Sequence, residues 1–282
     1  MAAVTALGET PMAAPAGRPR GMQRRRLLRL NAFRYVVFTL FGLFVLLPLL
    51  AMLRFSLEGS KLGTWSLTAW KDIVSYPGLA SAVELTLELA VITSIVMVAL
   101  LLPTMIWIKL RVQWISRTFE FLCLLPLTIP AIALVVGLGP VYNRIQHYSL
   151  SALQLFWVYV ILALPYAYRA LSSGLDALDA VTLSEAARSL GASWFTVMFR
   201  VIAPNMRQGI LNALLLTGAL VLGEFTIAYQ LLFGTLQPTL YSISRNTPNA
   251  GVVFSTSMAS LLFAFALLTI VSYAGRRRRR RG

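Results

Sequence analysis

Six stretches of apolar residues, each close to the length that a lipid bilayer demands, constrain this chain more than any other feature. A helix needs roughly 20 apolar residues to cross the hydrocarbon core. The chain is 58% hydrophobic and only 12% charged, whereas soluble domains carry about 25% charged residues. We therefore expect an all-α membrane protein with six transmembrane helices, at residues 35–53, 87–108, 121–142, 152–168, 209–233 and 251–273.

The basic residues predict the orientation of these spans, because cytoplasmic flanks are enriched in Lys and Arg. With both termini in the cytoplasm, only five of the 25 basic residues fall outside, namely Arg54, Lys61, Lys71, Arg144 and Arg245. We expect the cell membrane of a prokaryote. Residues 1–30 are expected to be a disordered basic cytoplasmic tail, residues 31–275 the six-span domain, and residues 276–282 a second basic cytoplasmic tail.

Composition excludes several other classes of protein. The net charge is +15, but the arginines cluster at the chain ends and beside apolar runs, where membranes favour them, so the lipid bilayer and not nucleic acid is the expected partner. Cys123 is the only cysteine and His147 the only histidine. The chain can form no internal disulfide and lacks the usual ligands of a zinc or di-iron centre. We expect no catalytic residue, no metal and no cofactor.

The connection between the fourth and fifth spans, residues 170–208, is too long for a simple turn. Thr182 and Glu185 have the spacing of a capping box, which predicts the start of a helix. Behind them, Leu183, Ala186, Ala187 and Leu190 follow the spacing of one helical stripe. Gly191 is expected to end this helix at a positive φ.

A second short helix is predicted directly after Gly191. Ser193 can cap it, and Trp194, Val197, Met198 and Val201 repeat the helical spacing. Pro204 is expected to end it, because proline lacks the backbone N–H that continues a helix. The pattern alone fits either a docking surface for another protein or two helices that pack on their own bundle.

These residues resemble a known family. Glu185-Ala186-Ala187, three residues, Gly191, nine residues and Val201-Ile202-Ala203-Pro204 are similar to the EAA loop of type I ABC importer permeases, whose pattern is E-A-A-x3-G-x9-I-x-L-P. Val201 stands where the pattern has Ile, and Ala203 where it has Leu. The position of the loop among six spans agrees with the same family.

The resemblance implies a mechanism and a set of partners. In this family the loop is a cytoplasmic coupling helix that docks on a separate ATPase subunit. The Ala186, Ala187 and Leu190 face would enter the ATPase groove, Glu185 would meet a basic residue there, and Gly191 would set the turn. A second permease subunit, of a different chain, and an extracytoplasmic solute-binding protein are the other implied partners. The chain itself has no G-x-x-x-x-G-K-[ST] phosphate-binding loop.

Two carboxyl groups fall within the predicted spans. A charge near the centre of a spanning helix costs about 3 kcal/mol, so Glu224, in the fifth span, should face a partner, a cavity or a proton. Glu88 lies in the outer half of the second span. The two residues are candidates for a pathway for a cationic solute. Alternatively, each forms a buried hydrogen bond between helices.

The segment from Leu222 to Gln230, with Phe233-Gly234-Thr235 after it, resembles the spermidine/putrescine-type branch of the family, which also includes phosphonate and ferric-iron permeases. The resemblance implies import of a small polar or cationic solute such as a polyamine, with phosphonate, ferric iron and thiamine as alternatives. A secondary transporter or a channel without an ATPase is the other functional class to consider. It leaves the 185–204 pattern unexplained.

Overall fold

We describe the chain from a computed structural model. The residues described are 20–58, 64–146, 152–246 and 250–277. The chain divides into two compact units, residues 1–51 and residues 52–282, and each is considered by itself. In the first unit the described residues are helical from Arg20 onward.

Helices make up nearly all of the described residues, and no β-strand occurs among them. In chain order they are α1 Arg20–Ser56, α2 Thr68–Val74, α3 Leu79–Arg111, α4 Ser116–Leu124, α5 Ala131–Gln146, α6 Leu155–Asp176, α7 Ala180–Ser189, α8 Trp194–Thr196, α9 Ala203–Asn205, α10 Arg207–Gly223, α11 Thr226–Gln230, α12 Leu236–Asn246 and α13 Ala250–Arg277. A π-helical turn, Val197–Ile202, lies between α8 and α9.

The expected all-helical membrane fold is confirmed, but the described helices do not correspond one to one with the six predicted spans. In the described part of the chain, four helices are long and apolar enough to cross a membrane: Phe33–Ser56, Leu79–Arg111, Ala152–Asp176 and Arg207–Gln230. A bent helix pair, Gln113–Thr128 with Ala131–Val141, makes a fifth if it is one span. The sixth predicted span contributes a shorter apolar stretch, Gly251–Ala266.

The third predicted span, residues 121–142, is not one straight helix. Its two halves meet at an angle of 98°, because a 3₁₀ turn at Leu125–Thr128 follows α4 and the chain is extended at Ile129. Pro126 lies in the turn and Pro130 directly before α5. Neither proline has the backbone N–H that a continuous helix would need.

The fifth predicted span, residues 209–233, is also interrupted. Helix α10 ends at Gly223, and Glu224 adopts an extended backbone with ψ 125°. The short α11 then begins at Thr226. The fourth span, in contrast, is longer than predicted, since α6 continues to Asp176.

Three helices form the centre of the second unit. Side chains from α3, α6 and α10 share one buried cluster, which includes Leu101, Leu171 and Ala213. A second cluster continues along the same helices and includes Leu89 and Tyr159. These helices hold the two ends of the segment between α6 and α10, residues 177–206, which contains the predicted coupling motif.

The ends of the predicted domain also differ in position. Helix α1 begins at Arg20, within the predicted 1–30 tail, and residues 1–19 lie outside the described residues. At the other end α13 reaches Arg277, and the rest of the 276–282 tail lies outside them, as does His147.

Candidate coupling segment and solute pocket

The 177–206 segment begins with a capped helix, but Asp179, not Thr182, is its cap. Oδ1 of Asp179 accepts a hydrogen bond from the backbone N–H of Thr182 at 3.2 Å, and Oδ2 accepts one from the Thr182 hydroxyl at 2.7 Å. The predicted capping box of Thr182 and Glu185 is therefore wrong. Helix α6 ends later than predicted and α7 begins earlier, which places Thr182 within the first turn.

These two hydrogen bonds affect the Asp179 carboxyl. The bond from the Thr182 hydroxyl, and after it the bond from the Thr182 backbone, lower the pKa of Asp179 below its ordinary value of 3.8. Both donors favour the ionised form. The cap is thus held in the state that best satisfies the N-terminal N–H groups of α7.

Gly191 produces the turn that the sequence predicts. Its φ is +85°, in the left-handed region that favours glycine. The Gly191 N–H donates to the carbonyl of Arg188 at 2.9 Å, and the Ala192 N–H donates to the carbonyl of Ala187 at 3.1 Å. These bonds satisfy carbonyls at the end of α7, as helix C-terminal motifs do. The positive φ predicted at Gly191 is confirmed.

The helical path after the turn begins as predicted and ends later. The Ser193 hydroxyl accepts a hydrogen bond from the Thr196 N–H at 3.2 Å, so the predicted cap is confirmed. However, Pro204 does not end this path. The π-helical turn leads into α9, where Pro204 occupies the first turn. Proline is tolerated there because the N–H of a first-turn residue has no partner within the helix.

The predicted contact residues are split between the surface and the interior. Glu185, Ala186, Gly191 and Pro204 are exposed, and Leu190 is 88% exposed. Ala187 and Val201 are half-buried, and Ala187 packs against the cluster that contains Leu101. The predicted stripe of α7 therefore has an inner edge that packs on the bundle and an outer edge that is free in this chain.

Sequence analysis missed two aromatic residues on the same segment. Phe195 is 70% exposed and Phe199 is 42% exposed, and their ring centroids lie 4.5 Å apart. Their i, i+4 spacing was visible in the sequence. The two residues lie outside the apolar stripe of Trp194, Val197 and Met198, on which the sequence prediction rested. Exposed aromatic side chains are typical of protein interfaces.

Trp194 joins the segment to the end of α3. The guanidinium carbon of Arg111 lies 4.1 Å from the centroid of the Trp194 ring, and that of Arg188 lies 4.2 Å from it. The Trp107 ring meets Trp194 edge-on, with centroids 6.2 Å apart. We call Arg111, Trp194 and Arg188 the Arg–Trp–Arg stack.

Ion pairs link α6 to its neighbours near the same end. Lys109 of α3 donates to Asp176 of α6 at 2.7 Å, and Arg169 of α6 pairs with Glu120 of α4 at 3.1 Å. All four side chains are partly solvent-accessible, where such pairs contribute at most about 1 kcal/mol each. They indicate which helix ends lie side by side rather than supplying much stability.

Glu224 is buried and fully engaged within this chain. Oε1 accepts a hydrogen bond from the Ile227 N–H at 2.7 Å, and Oε2 accepts from the Ala228 N–H at 3.1 Å and from the Tyr159 hydroxyl at 3.0 Å. The carboxyl group thus satisfies the first N–H groups of α11 and ties that helix to α6. This geometry favours the alternative of a buried hydrogen bond between helices.

Glu88 does not share that environment. It is exposed on α3, and it is absent from the hydrogen-bond partners of Glu224. The structure does not bring the two predicted pathway residues together. A role for either of them in a solute pathway stays a prediction.

A pocket that sequence analysis did not anticipate lies among α12, α13 and the start of α11. Its volume is about 390 Å³, and six of its eight lining residues carry an uncharged polar group: Gln237, Tyr241, Ser244, Thr256, Ser257 and Ser260, beside Phe225 and Leu240. The residues are spread over 36 positions of the chain, so no local motif could have revealed the pocket.

The serine hydroxyls that line the pocket already donate their protons within the chain. Ser244 Oγ donates to the carbonyl of Tyr241 at 2.8 Å, and Ser257 Oγ donates to that of Val253 at 2.9 Å. Ser260 and Gln237 bond each other, with Gln237 Nε2 to Ser260 Oγ at 2.8 Å. A hydroxyl oxygen that donates its single proton keeps its acceptor capacity. These serine hydroxyls therefore offer acceptor oxygens to a ligand.

Aromatic rings border the same pocket. Phe225 stacks on Tyr229 with centroids 4.9 Å apart, and Tyr241 meets each of them edge-on at 5.3 Å. The faces of such rings carry negative electrostatic potential, which attracts cations. Arg245 lies 6.0 Å from the Tyr241 centroid, and its charge opposes a cation at that ring.

Four long apolar helices, three of them packed together as the core of the second unit, and a structured connection between α6 and α10 define a multi-pass helical membrane protein. Residues 105–280 match the family of binding-protein-dependent transport system inner membrane components. Because this match covers more than half of the chain, the chain belongs to that family. Its members are permease subunits of ABC importers, which are transport proteins and not enzymes.

Several curated proteins are similar to the chain. The spermidine/putrescine transport system permease protein PotB of Haemophilus influenzae is 36% identical over 115 residues, 38% of this chain and 40% of that protein. The putrescine transport system permease protein PotI of Escherichia coli K12 is 25% identical over 208 residues, 70% of this chain and 74% of its own. The sulfate transport system permease protein CysT of Salmonella typhimurium is 27% identical over 258 residues, 83% and 90% of the two chains. The match to PotB thus spans about two-fifths of that relative.

Proposed function

We propose that this chain forms the translocation pathway of an ABC importer and that its 177–206 segment docks on a separate ATPase subunit in the cytoplasm. The observation that carries this proposal is the Gly191 turn between two capped helical pieces, which leaves Leu190 almost fully exposed. Burying a leucine side chain stabilises by about 1.5–3 kcal/mol, so a free leucine at a rigid turn suits a protein groove.

Both helical pieces beside the Gly191 turn would contact the ATPase: α7 is the first arm, and α8 with the π-helical turn is the second. Glu185, Ala186 and Leu190 come from the first arm, and Phe195 and Phe199 from the second; all are exposed in this chain. Ala187, Val201 and Pro204 would support these residues from the inner side and the far end of the segment. Glu185 is a candidate for a charge-assisted contact with a basic residue of the partner.

The orientation proposed for the chain places both termini and this segment in the cytoplasm of a prokaryotic cell. The distribution of Lys and Arg supports it. The complete importer would contain ATPase subunits, a second permease subunit of a different chain and an extracytoplasmic solute-binding protein. We propose that the second permease subunit faces the pocket at α12 and α13, so that the solute passes between the two permease chains.

The proposed solute is small and polar or cationic, such as a polyamine. The pocket contains hydroxyl and amide oxygens that can accept hydrogen bonds, and aromatic rings border it; amine groups are donors that such groups suit. Glu88 is a further candidate for the pathway, because its carboxyl group is exposed in this chain. Two of the similar proteins are polyamine permeases by name, while others are named for sulfate, molybdenum or methionine.

Affinity purification of the chain from its own membranes in a gentle detergent tests the docking proposal. We expect an ATPase with a phosphate-binding loop in the sample by mass spectrometry. It should be lost from a variant with Glu185→Ala and Gly191→Val. A control variant with Glu84→Ala and Gly139→Val carries the same replacements outside the segment, where a Cβ at residue 139 would meet no atom within 4 Å, and should retain the ATPase.

Two results would contradict the proposal. One is a chain that purifies without any ATPase, which would favour a secondary transporter or a channel. The other is an ATPase that stays bound to the Glu185→Ala, Gly191→Val variant. For the solute, uptake of labelled putrescine into proteoliposomes containing the complex should be ATP-dependent and resistant to excess sulfate or methionine. Inhibition by either would assign the solute to another chemical class.

A further inference from the structure

The Arg–Trp–Arg stack gathers three parts of the chain on one side chain. Arg111 is the last residue of α3, Arg188 lies in the last turn of α7, and Trp194 begins α8. One indole ring therefore contacts both arms of the 177–206 segment and the end of a long apolar helix. Among the described residues no carboxylate pairs with Arg111 or Arg188, so the ring is the principal partner recorded for both guanidinium groups.

The stack differs from the other links at this end of the molecule. The ion pair of Lys109 with Asp176 joins α3 to α6 and includes no residue of α7 or α8. Ala187 and Val197 also pack on the buried cluster that includes residues of α3, but the hydrophobic contribution of such packing is non-directional. A cation over an aromatic face requires the charge to stay near the ring centre. The stack therefore specifies the position of the segment relative to α3.

We propose that Trp194 is a positioning residue which makes the 177–206 segment and α3 move together when the ATPase displaces the segment. This inference rests on the proposed function, because it assigns a route for the displacement that ATP binding would produce. Helix α3 contributes to both buried clusters. Displacement of its end would therefore be passed to the core helices and to the region of the pocket.

The predicted consequence of losing the ring is uncoupling. Without Trp194 the two guanidinium groups have no shared partner, and packing in the buried cluster is left to join the segment to α3. The ATPase should still bind, since Leu190, Phe195 and Phe199 remain exposed. ATP hydrolysis should continue while the membrane-embedded part responds less to it.

The experiment uses the complex purified from its own membranes and placed in lipid nanodiscs. A Ser257→Cys replacement puts a reactive thiol in the pocket, because Ser257 is exposed and lines it. The native Cys123 is buried, and the parent chain without the new thiol gives the background. The readout is the change in the rate of modification by a membrane-impermeant maleimide when ATP and vanadate are added.

In the Ser257→Cys protein with Trp194 intact, addition of ATP and vanadate should change the rate of maleimide modification. In Trp194→Leu the change should shrink by about fivefold, the effect of losing an interaction of ordinary size, while the ATPase still copurifies and hydrolyses ATP. Trp194→Phe keeps an aromatic face and should restore most of the response. Trp114→Leu is the matched control, because Trp114 lies three residues after the end of α3 and is 83% exposed. This variant should respond to nucleotide like the parent.

Three outcomes separate this inference from the proposed function. If no ATPase copurifies with the parent chain, the proposed function fails and the inference falls with it. If the ATPase binds the parent but is lost from Trp194→Leu, the ring acts in docking and the inference is overturned. A full nucleotide response in Trp194→Leu, with the ATPase bound, also overturns it and leaves the proposed function standing.

Discussion

Gly174 of α6 and Gly209 of α10 meet with no side chain between them. A Cβ built on either residue would lie 3.0 Å from the Cα of the other. Small residues allow membrane helices to approach closely in this way. The contact lies just before α6 ends and just after α10 begins, so it sets the separation of the two ends of the 177–206 segment.

Replacement of Gly209 by alanine should therefore destabilise the protein. The added Cβ would also lie 3.1 Å from the carbonyl oxygen of Ala170, and neither neighbour is a flexible side chain that can move away. Overpacking of this kind costs about 1–3 kcal/mol, against a gain of about 1 kcal/mol in helix propensity. We expect a lower unfolding temperature of Gly209→Ala in detergent, measured by intrinsic fluorescence.

Gly218→Ala provides the control on the same helix. Its Cβ would meet only the Ser94 hydroxyl, at 3.7 Å, which is an ordinary contact. This variant should be as stable as the parent or more stable. Equal unfolding temperatures for the Gly209 and Gly218 variants would show that the close approach does not limit the packing of α6 on α10.

Gly191→Ala should loosen the turn without disturbing membrane insertion. No atom lies within 4 Å of the added Cβ, so the whole effect comes from the φ of +85°. The left-handed conformation costs a non-glycine residue about 1–2 kcal/mol. Hydrogen–deuterium exchange of peptides that cover residues 186–196 should rise by about fivefold or more.

The matched control for this turn is Gly139→Ala. Gly139 lies within α5, and an added Cβ there also meets no atom within 4 Å. Exchange in the 186–196 peptides should be unchanged in this control. Unchanged exchange in Gly191→Ala as well would mean that the turn does not depend on glycine.

The Asp179 cap should make the stability of α7 depend on pH. The pKa of the Asp179 carboxyl is lowered in the folded protein by the Thr182 hydroxyl and backbone N–H. Stabilisation from this carboxyl is therefore fully present above its ordinary value of 3.8, and it is lost as the pH falls through the lower folded value. The exchange protection of α7 in the parent, relative to Asp179→Ala, should be largest near neutral pH and should shrink below pH 3.8.

Asp179→Asn separates capping from titration. An asparagine can still accept a hydrogen bond at the cap, but it does not ionise in this range. Its protection relative to Asp179→Ala should stay flat between pH 3 and pH 7. If the parent also showed no pH dependence over this range, the hydrogen bonds from Thr182 would not be stabilising the ionised carboxyl.

Variants at Glu224 distinguish its structural role from a role in transport. Glu224→Ala leaves two buried N–H groups without their acceptor and removes one hydrogen bond of the Tyr159 hydroxyl, which should destabilise the protein by about 2–4 kcal/mol. Glu224→Gln keeps one carbonyl oxygen and should lose less. Thermal unfolding and solute uptake should fall together across the two variants and Tyr159→Phe.

The opposite pattern would place Glu224 in the pathway. A Glu224→Gln variant that keeps the parent's stability but loses uptake would require the carboxyl group itself in transport. Glu88→Gln is the companion variant. Because Glu88 is exposed, its stability should equal that of the parent, and any fall in uptake would reflect the pathway alone.

Local chemistry predicted the turn of the coupling segment well. The positive φ of Gly191 and the cap at Ser193 follow from what those residue types do within a few neighbours. The error at Thr182 has the same local origin. Asp179 and Thr182 are both good capping residues, and the choice between them depends on where α6 ends. That end is set by contacts with α3 and α10, which lie far away in the sequence.

The interruptions of the helices were harder to predict. Hydropathy measures whether a stretch can lie in the bilayer, and it is insensitive to a bend within the stretch. The 98° bend and the break at Glu224 therefore both fall within stretches that were predicted as single spans. The Arg–Trp–Arg stack joins residues 111, 188 and 194, and a single sequence contains no sign of such long-range pairing.

The ion pair of Lys109 with Asp176 also has a topological consequence for the bent helix pair. The two residues lie at the ends of α3 and α6, so these two helix ends lie side by side. If α3 and α6 both cross, α6 must start on the face opposite to the end of α3. The chain between residues 112 and 154 must then pass through the membrane an odd number of times. A hairpin that enters and leaves by the same face cannot satisfy this parity, so on that condition the bent pair is a crossing and not a re-entrant loop.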